Sequence, residues 1–172
     1  ANPYPECFLT PAIHFLTERF APYHAKPFFM AEYFLPTGSP TPAPSCAADV
    51  QILGKDALLP LHGNPAWSMA LSDSHPERDI LGVGAFVDGT LVGLAGCSAD
   101  CDTMWQIGID VLPDYRHRGI ASALVSALAN EIFSRGRVPF YCAAWSNIPS
   151  VKTAIRAGFT PAWVQLTCIR TD

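Results

Sequence analysis

The chain has 172 residues, 49% hydrophobic and 15% charged, which is ample material for one buried core and too apolar for a disordered chain. A net charge of −4 and a pI near 5.7, with Lys and Arg nowhere in runs, exclude a nucleic-acid surface. No apolar stretch is long enough to span a bilayer, and Ala1-Asn2-Pro3-Tyr4-Pro5 has neither a basic start nor a signal-type apolar run.

No membrane partner is therefore expected, and the location expected is the cytoplasm. The lack of an initial Met is expected to reflect trimming or residues further upstream.

Twelve of the sixteen prolines fall within residues 1–76, the part expected to vary, while residues 80–170 carry the readable pattern; together they are expected to form one domain, 1–172. A helix over Ala12–Phe20 is expected to pack on the sheet edge. The aromatics Phe15, Phe20, Tyr23, Phe28, Phe29, Tyr33 and Phe34 precede a proline run and suit such packing, an acceptor pocket or a homodimer contact. Pro36 to Pro44 reads as a loop or extended segment. Asp49–Leu53 reads as an edge strand and Asp56–His62 as a short helix. Leu81–Val87 and Leu91–Cys97, joined by Asp88-Gly89, read as an antiparallel hairpin with a two-residue turn.

The most informative stretch follows. Trp105–Val111 has strand character and passes through Leu112-Pro113-Asp114-Tyr115 into Arg116-His117-Arg118-Gly119-Ile120-Ala121 and a long apolar helix. Such an order places unpaired backbone N–H groups and the positive end of a helix dipole at one spot, which suits a phosphate-bearing ligand. Gly119 lets the backbone approach an anion, Ala121 keeps the next position small, and two arginines add forked donors. In the helix, Ile120, Leu124, Leu128 and Ile132 recur every four residues, with Ser122, Ser126, Asn130 and Ser134 forming the opposite stripe. Arg135-Gly136 closes it. Val138–Ala144 then reads as a buried strand, completing a βαβ unit with parallel strands. Asn147-Ile148-Pro149-Ser150 opens a short helix ending in Ala157-Gly158-Phe159, with Asn147 as its N-cap. Phe159 to Arg170 is expected to hold a last strand, from Ala162 to Ile169.

Arg116-x-x-Gly119-x-Ala121 after Val111-Leu112-Pro113, followed by Asn147-x-x-Ser150 and Gly158-Phe159, resembles the coenzyme A binding core of the GNAT superfamily of N-acetyltransferases. The resemblance runs from about Ile80 to Leu166. It implies an α/β fold with a mixed, mainly antiparallel central sheet and a parallel βαβ unit. It also implies acetyl-CoA as co-substrate and a small-molecule or peptide amine as acceptor. Backbone groups of Ile109, Asp110 and Val111, where the strand splays from its neighbour, would pair with the pantetheine arm. The amides of His117, Arg118, Gly119, Ile120, Ala121 and Ser122, beside Arg116, would hold the pyrophosphate. Asn147 and Ser150 would reach the pantetheine or acetyl group.

For catalysis the chain departs from the family pattern. Ala154 stands where many members carry a tyrosine that protonates the leaving thiolate, and Trp105 and Cys142 stand where a glutamate base is often found. No catalytic residue is assigned, which leaves a coenzyme A binding protein without useful catalysis as the alternative. Among substitutes, Asp110 is expected to bind backbone or loop donors, Asp100 and Asp102 to lie in a solvated turn, and Tyr141 to be a packed aromatic with one bonded hydroxyl. Cys7, Cys46, Cys97, Cys101, Cys142 and Cys168 have no metal-ligand spacing, so no metal is expected, and reduced thiols are expected throughout. His14, His24, His62 and His75 are expected to be surface or satisfied polar residues.

Overall fold

A computed structural model of the chain describes residues 9–38 and 42–171. Cys7 and the first residues lie outside the described part. Seven strands form one sheet in the order β2-β3-β4-β5-β6-β1-β7, with β1 Ala25–Pro36, β2 Asp49–Gly54, β3 Asp79–Val87, β4 Thr90–Ser98, β5 Met104–Val111, β6 Val138–Ala144 and β7 Phe159–Arg170. Four α-helices accompany it: α1 Thr10–Phe20, α2 Lys55–Leu58, α3 Ile120–Ser134 and α4 Ile148–Arg156. Every pairing is antiparallel except β5 with β6, the two strands joined through α3. This is the mixed α/β architecture expected, with β2 at the sheet edge as expected.

The β3–β4 hairpin turns on Asp88 and Gly89 at φ 49° and 75°, the left-handed pair that matches strand twist in a two-residue turn. A methyl group at Gly93 would lie 3.0 Å from Ile120 and 3.1 Å from Leu124, so α3 sits directly on β4 there. On the opposite face, methyl groups at Gly96 and Gly108 would collide with the carbonyl oxygens of Ala70 and Met69. The 65–70 turn therefore lies backbone-to-backbone on the middle of the sheet, and only glycine permits that approach. The larger core joins sheet residues such as Leu81, Val83, Ile107 and Tyr141 to Leu124, Leu128 and Ile132 of α3 and Ala154 of α4. A smaller one packs Leu58, Trp67, Ala70, Leu71 and Leu94 on the other face.

Three expectations are revised. Residues 25–36, the centre of the N-terminal aromatic cluster, are neither pocket lining alone nor a helix flank; they form β1, inserted between β6 and β7. Pro27 is tolerated because it sits at an irregularity in the β1–β7 register. On α3, Ser122 and Ser126 are 7% and 1% exposed, whereas Ser134 of the same stripe is exposed. Second, His62 is neither on the surface nor satisfied. Both ring nitrogens are buried without a hydrogen-bond partner, 3.8 Å from Asp73 Oδ1 and 3.7 Å from Asp79 Oδ2. Third, the last strand lies in the expected Phe159–Arg170 stretch but fills all of it, beginning three residues before Ala162.

Candidate coenzyme A site

The site is built on a fork in the sheet. β5 and β6 pair in register from Met104↔Val138 to Ile107↔Tyr141 and no further. Beyond that point β5 continues from Gly108 to Val111 against β4 only, while Cys142, Ala143 and Ala144 pair with β1 only. One backbone edge of β5 from Gly108 to Val111 therefore has no ladder partner among the described residues. Free N–H and C=O groups on an open strand edge are a template for an extended amide chain. Ile109, Asp110 and Val111 lie on this edge, where the sequence places the splay.

At the end of that edge the chain makes a short 3-10 turn, Pro113–Tyr115, and enters the 116–119 loop. Arg116 folds back, its Nε donating to the Val111 carbonyl at 2.9 Å. Arg118 donates to the Asp114 carbonyl at 2.9 Å, and its guanidinium lies 5.3 Å from the centre of the Tyr115 ring. Each arginine thus braces the loop with part of its fork. His117 and Gly119 take φ of 62° and 79°. Left-handed backbone at two positions, one apart, turns successive amides inward. Gly119 caps α3 without a side-chain acceptor, and the helix's first internal bond runs from Ala123 N to the Gly119 carbonyl. The N–H groups of Ile120, Ala121 and Ser122 are left without intrahelical partners, and no acidic residue occupies the first turn. The geometry is that of an anion cradle. Ser122 turns its hydroxyl to the Gly119 carbonyl at 3.0 Å, so its amide and not its side chain faces outward.

On the other side of the fork, Asn147 caps α4, its Oδ1 accepting from Ser150 N at 3.2 Å. That bond leaves the Asn147 amide nitrogen available. Ser150 Oγ lies 2.8 Å from the hydroxyl of Tyr141, the last residue of β6 that still pairs with β5. Burial pushes the Tyr141 phenol up, opposed by the Ser150 bond. Tyr141 is thus the packed aromatic with one bonded hydroxyl that was expected. Asp110 is also as expected, since its Oδ2 accepts from Met69 N at 2.8 Å and Ala70 N at 2.9 Å. Burial raises its pKa, opposed by those two bonds, and its work is to hold the 65–70 turn on the sheet.

None of the three residues at the positions where the sequence departs from the family carries a carboxylate or phenol of its own. Ala154 is fully buried. Trp105 packs on the core with the Arg137 guanidinium 5.9 Å from its ring centre. Burial pushes the Cys142 thiol up, and its sulfur accepts from Gln106 Nε2 at 3.3 Å. Asp100 lies in the exposed turn, accepting from Ser98 Oγ at 3.0 Å and 3.6 Å from Arg78. Among the described residues no three His, Cys, Asp or Glu side chains are placed to hold a metal ion, and no helix is long and apolar enough to cross a membrane.

The GNAT acetyltransferase family model matches residues 53–159, more than half of the chain. This chain belongs to the GNAT family. The matched span begins at the end of β2 and closes where β7 begins, so it contains the fork, the loop and both helices of the site but not β1. Among solved structures, a GCN5-related N-acetyltransferase-like protein from Streptococcus suis superposes with a TM-score of 0.67 at 17% identity, over 91% of this chain and 67% of its own. A GNAT-family acetyltransferase from Novosphingobium aromaticivorans gives 0.60 at 20%, over 84% and 66%. An aminoglycoside N-acetyltransferase solved in complex with CoA gives 0.52 at 23%, over 70% of this chain and 92% of its own. The chain spans about two thirds of the length of the first two of these, and at these identities the likeness is one of fold. No curated protein sequence matches it.

Proposed function

We propose that this GNAT protein transfers the acetyl group of acetyl-CoA to the primary amine of a small molecule or peptide, by direct attack on the thioester. The observation that carries this reading is the open β5 edge from Gly108 to Val111 leading directly into the amide-lined 116–122 loop. An extended pantetheine would pair with the edge, and a pyrophosphate would sit at the start of α3. His117 to Ser122 supply amides, Arg116 and Arg118 supply the charge left over from bracing the loop, and Asn147 and Ser150 supply polar groups at the fork.

The chemistry asks little of side chains. The free amine attacks the carbonyl carbon, the C–N bond forms as the C–S bond breaks, a thiolate departs, and the proton shed by the nitrogen ends on that thiolate by way of solvent. A thiol is a mild acid, so its thiolate leaves with limited help. Holding two reactants in line supplies most of what is needed, with proton transfer adding roughly 10²–10⁴-fold. Buried Ala154 favours a second reading, a coenzyme A binding protein with little turnover. A cytoplasmic setting, where thiols stay reduced, is part of the transferase reading.

Calorimetric titration with coenzyme A, followed by a thiol-release assay with acetyl-CoA and a panel of amines, separates these readings. Binding with turnover supports the transferase, binding without turnover on any amine supports the second reading, and no binding rejects both. Gly119→Glu is expected to abolish coenzyme A binding. Space at that position is open, with the nearest atom, the Ser45 carbonyl oxygen, 4.0 Å from a Cβ there, but the side chain would bring bulk, negative charge and a strained φ to the anion cradle. Unchanged affinity in a folded variant would remove the loop from the site.

A further inference from the structure

The fork has two faces. α3 and the larger core occupy one; on the other, the 65–70 turn covers β4 and β5 up to Gly108 and leaves the Met69 side chain 69% exposed. Across the fork from Met69, the same face of β6, β1 and β7 carries a row of rings. Tyr33 pairs with Cys142 on one side and with Trp163 on the other. Its ring stacks on Trp163 at 4.8 Å and 14°, and on Phe140 at 6.2 Å and 23°. Trp163 remains 38% exposed although stacked. Between the two walls, Gln106 and Cys142 touch across the fork itself. The result is a groove with Met69 on one side, the Tyr33–Trp163–Phe140 rings on the other, and the point where β5 and β6 part as its floor.

We propose that this groove binds the acceptor, and that the acceptor is an amine with an aromatic or flat apolar group close to its nitrogen. The inference rests on the acetyltransferase reading, because only then does a second reactant have to reach the fork. With the thioester held from the α3 side, the amine must come from the opposite face, where these rings are. Burial first, with the Asp100 carboxylate a smaller cause, opposes ionisation of both Tyr33 and Cys142, so the groove presents neutral groups to an incoming neutral amine. An aromatic pair adds roughly 0.5–1.5 kcal/mol beyond area burial, up to about tenfold in affinity.

The test compares 2-phenylethylamine with n-butylamine as acceptors for the full chain, by thiol release at saturating acetyl-CoA. The expected result is a kcat/KM about tenfold or more higher for phenylethylamine. In Trp163→Ala that ratio is expected to fall towards 1 through KM for the aromatic amine, and in Tyr33→Leu likewise. Phe28→Ala, an exposed aromatic further along β1, is expected to leave the ratio unchanged. Equal use of both amines, or an equal loss for both in Trp163→Ala, would overturn the proposal. If the protein binds coenzyme A but turns over no amine, the transferase reading fails by itself, and calorimetry of phenylethylamine into the coenzyme A complex then decides the groove. Saturable binding lost in Trp163→Ala supports it, and absence of binding overturns it.

Discussion

At the scale of single residues the thiols show how far environment outweighs identity. Cys97 lies fully buried in the larger core, and burial, with Asp79 next, pushes its pKa up to about 12. Cys101, four residues on, is exposed; the Thr103 hydroxyl, with the Met104 and Thr103 backbone next, pulls its pKa down. A lowered value means more thiolate at a given pH, so at mildly alkaline pH Cys101 is expected to be alkylated first and Cys97 only on unfolding. Peptide mapping after brief iodoacetamide treatment checks this, and early modification of Cys97 would contradict its burial. Tyr141 offers a second case. Tyr141→Phe removes the partner of Ser150 and is expected to cost about 1 kcal/mol in denaturant unfolding, with little change in the fold. The role of Asp110 was legible from strand alternation, which fixes the face a side chain joins, and that of Tyr141 from its place as an aromatic in an apolar strand. His62 was not legible. Its surroundings, Asp73 in a loop and Asp79 at the start of β3, come together only through the packing of the 59–79 segment, which no local pattern announces.

At the scale of elements, the parts that could be read were those whose signal is local. The β3–β4 hairpin follows from Asp88-Gly89 between two apolar runs, α3 from its four-residue apolar recurrence and Gly136, and α4 from Asn147. The anion cradle is equally local, a strand end, a glycine and a helix start within a dozen residues. β1 was hidden because Ala25–Pro36 holds prolines at 27 and 36 and no clean alternation, and all of its partners lie more than a hundred residues away. The Tyr33–Trp163 stack was hidden for the same reason. Glycine positions give the sharpest element-scale expectation. Gly108→Ala would drive a methyl group into the Met69 carbonyl and pry the 65–70 turn from Asp110. A loss of about 2–4 kcal/mol is expected in denaturant unfolding, in line with overpacking plus two lost bonds to a charged acceptor. Gly136→Ala, with nothing within 4 Å but φ at 69°, is expected to cost only about 1 kcal/mol.

At the scale of the whole molecule, the strand order decides what may be removed. β1 supplies the only sheet neighbour of β7 among the described residues and one neighbour of β6. Deleting residues 1–36 is therefore expected to abolish the cooperative thermal transition, even though the family-matched span 53–159 stays intact. A truncated chain that still melts cooperatively by circular dichroism would show that β2–β6 stand alone.

The same strand order sets a timetable for folding. β1 is synthesised more than a hundred residues before its partners, since Phe34 pairs with Tyr141 and Pro36 with Phe159, so its slot does not exist until β6 and β7 have been made. At about 5–20 residues per second of synthesis, an apolar twelve-residue strand waits on the order of ten seconds with both edges bare. Pairings this distant also make folding slow, since the loop must be closed before any contact rewards it. The prolines at 27 and 36 then have a use during that wait: each removes an edge donor and makes the waiting strand a poorer template for another copy of itself.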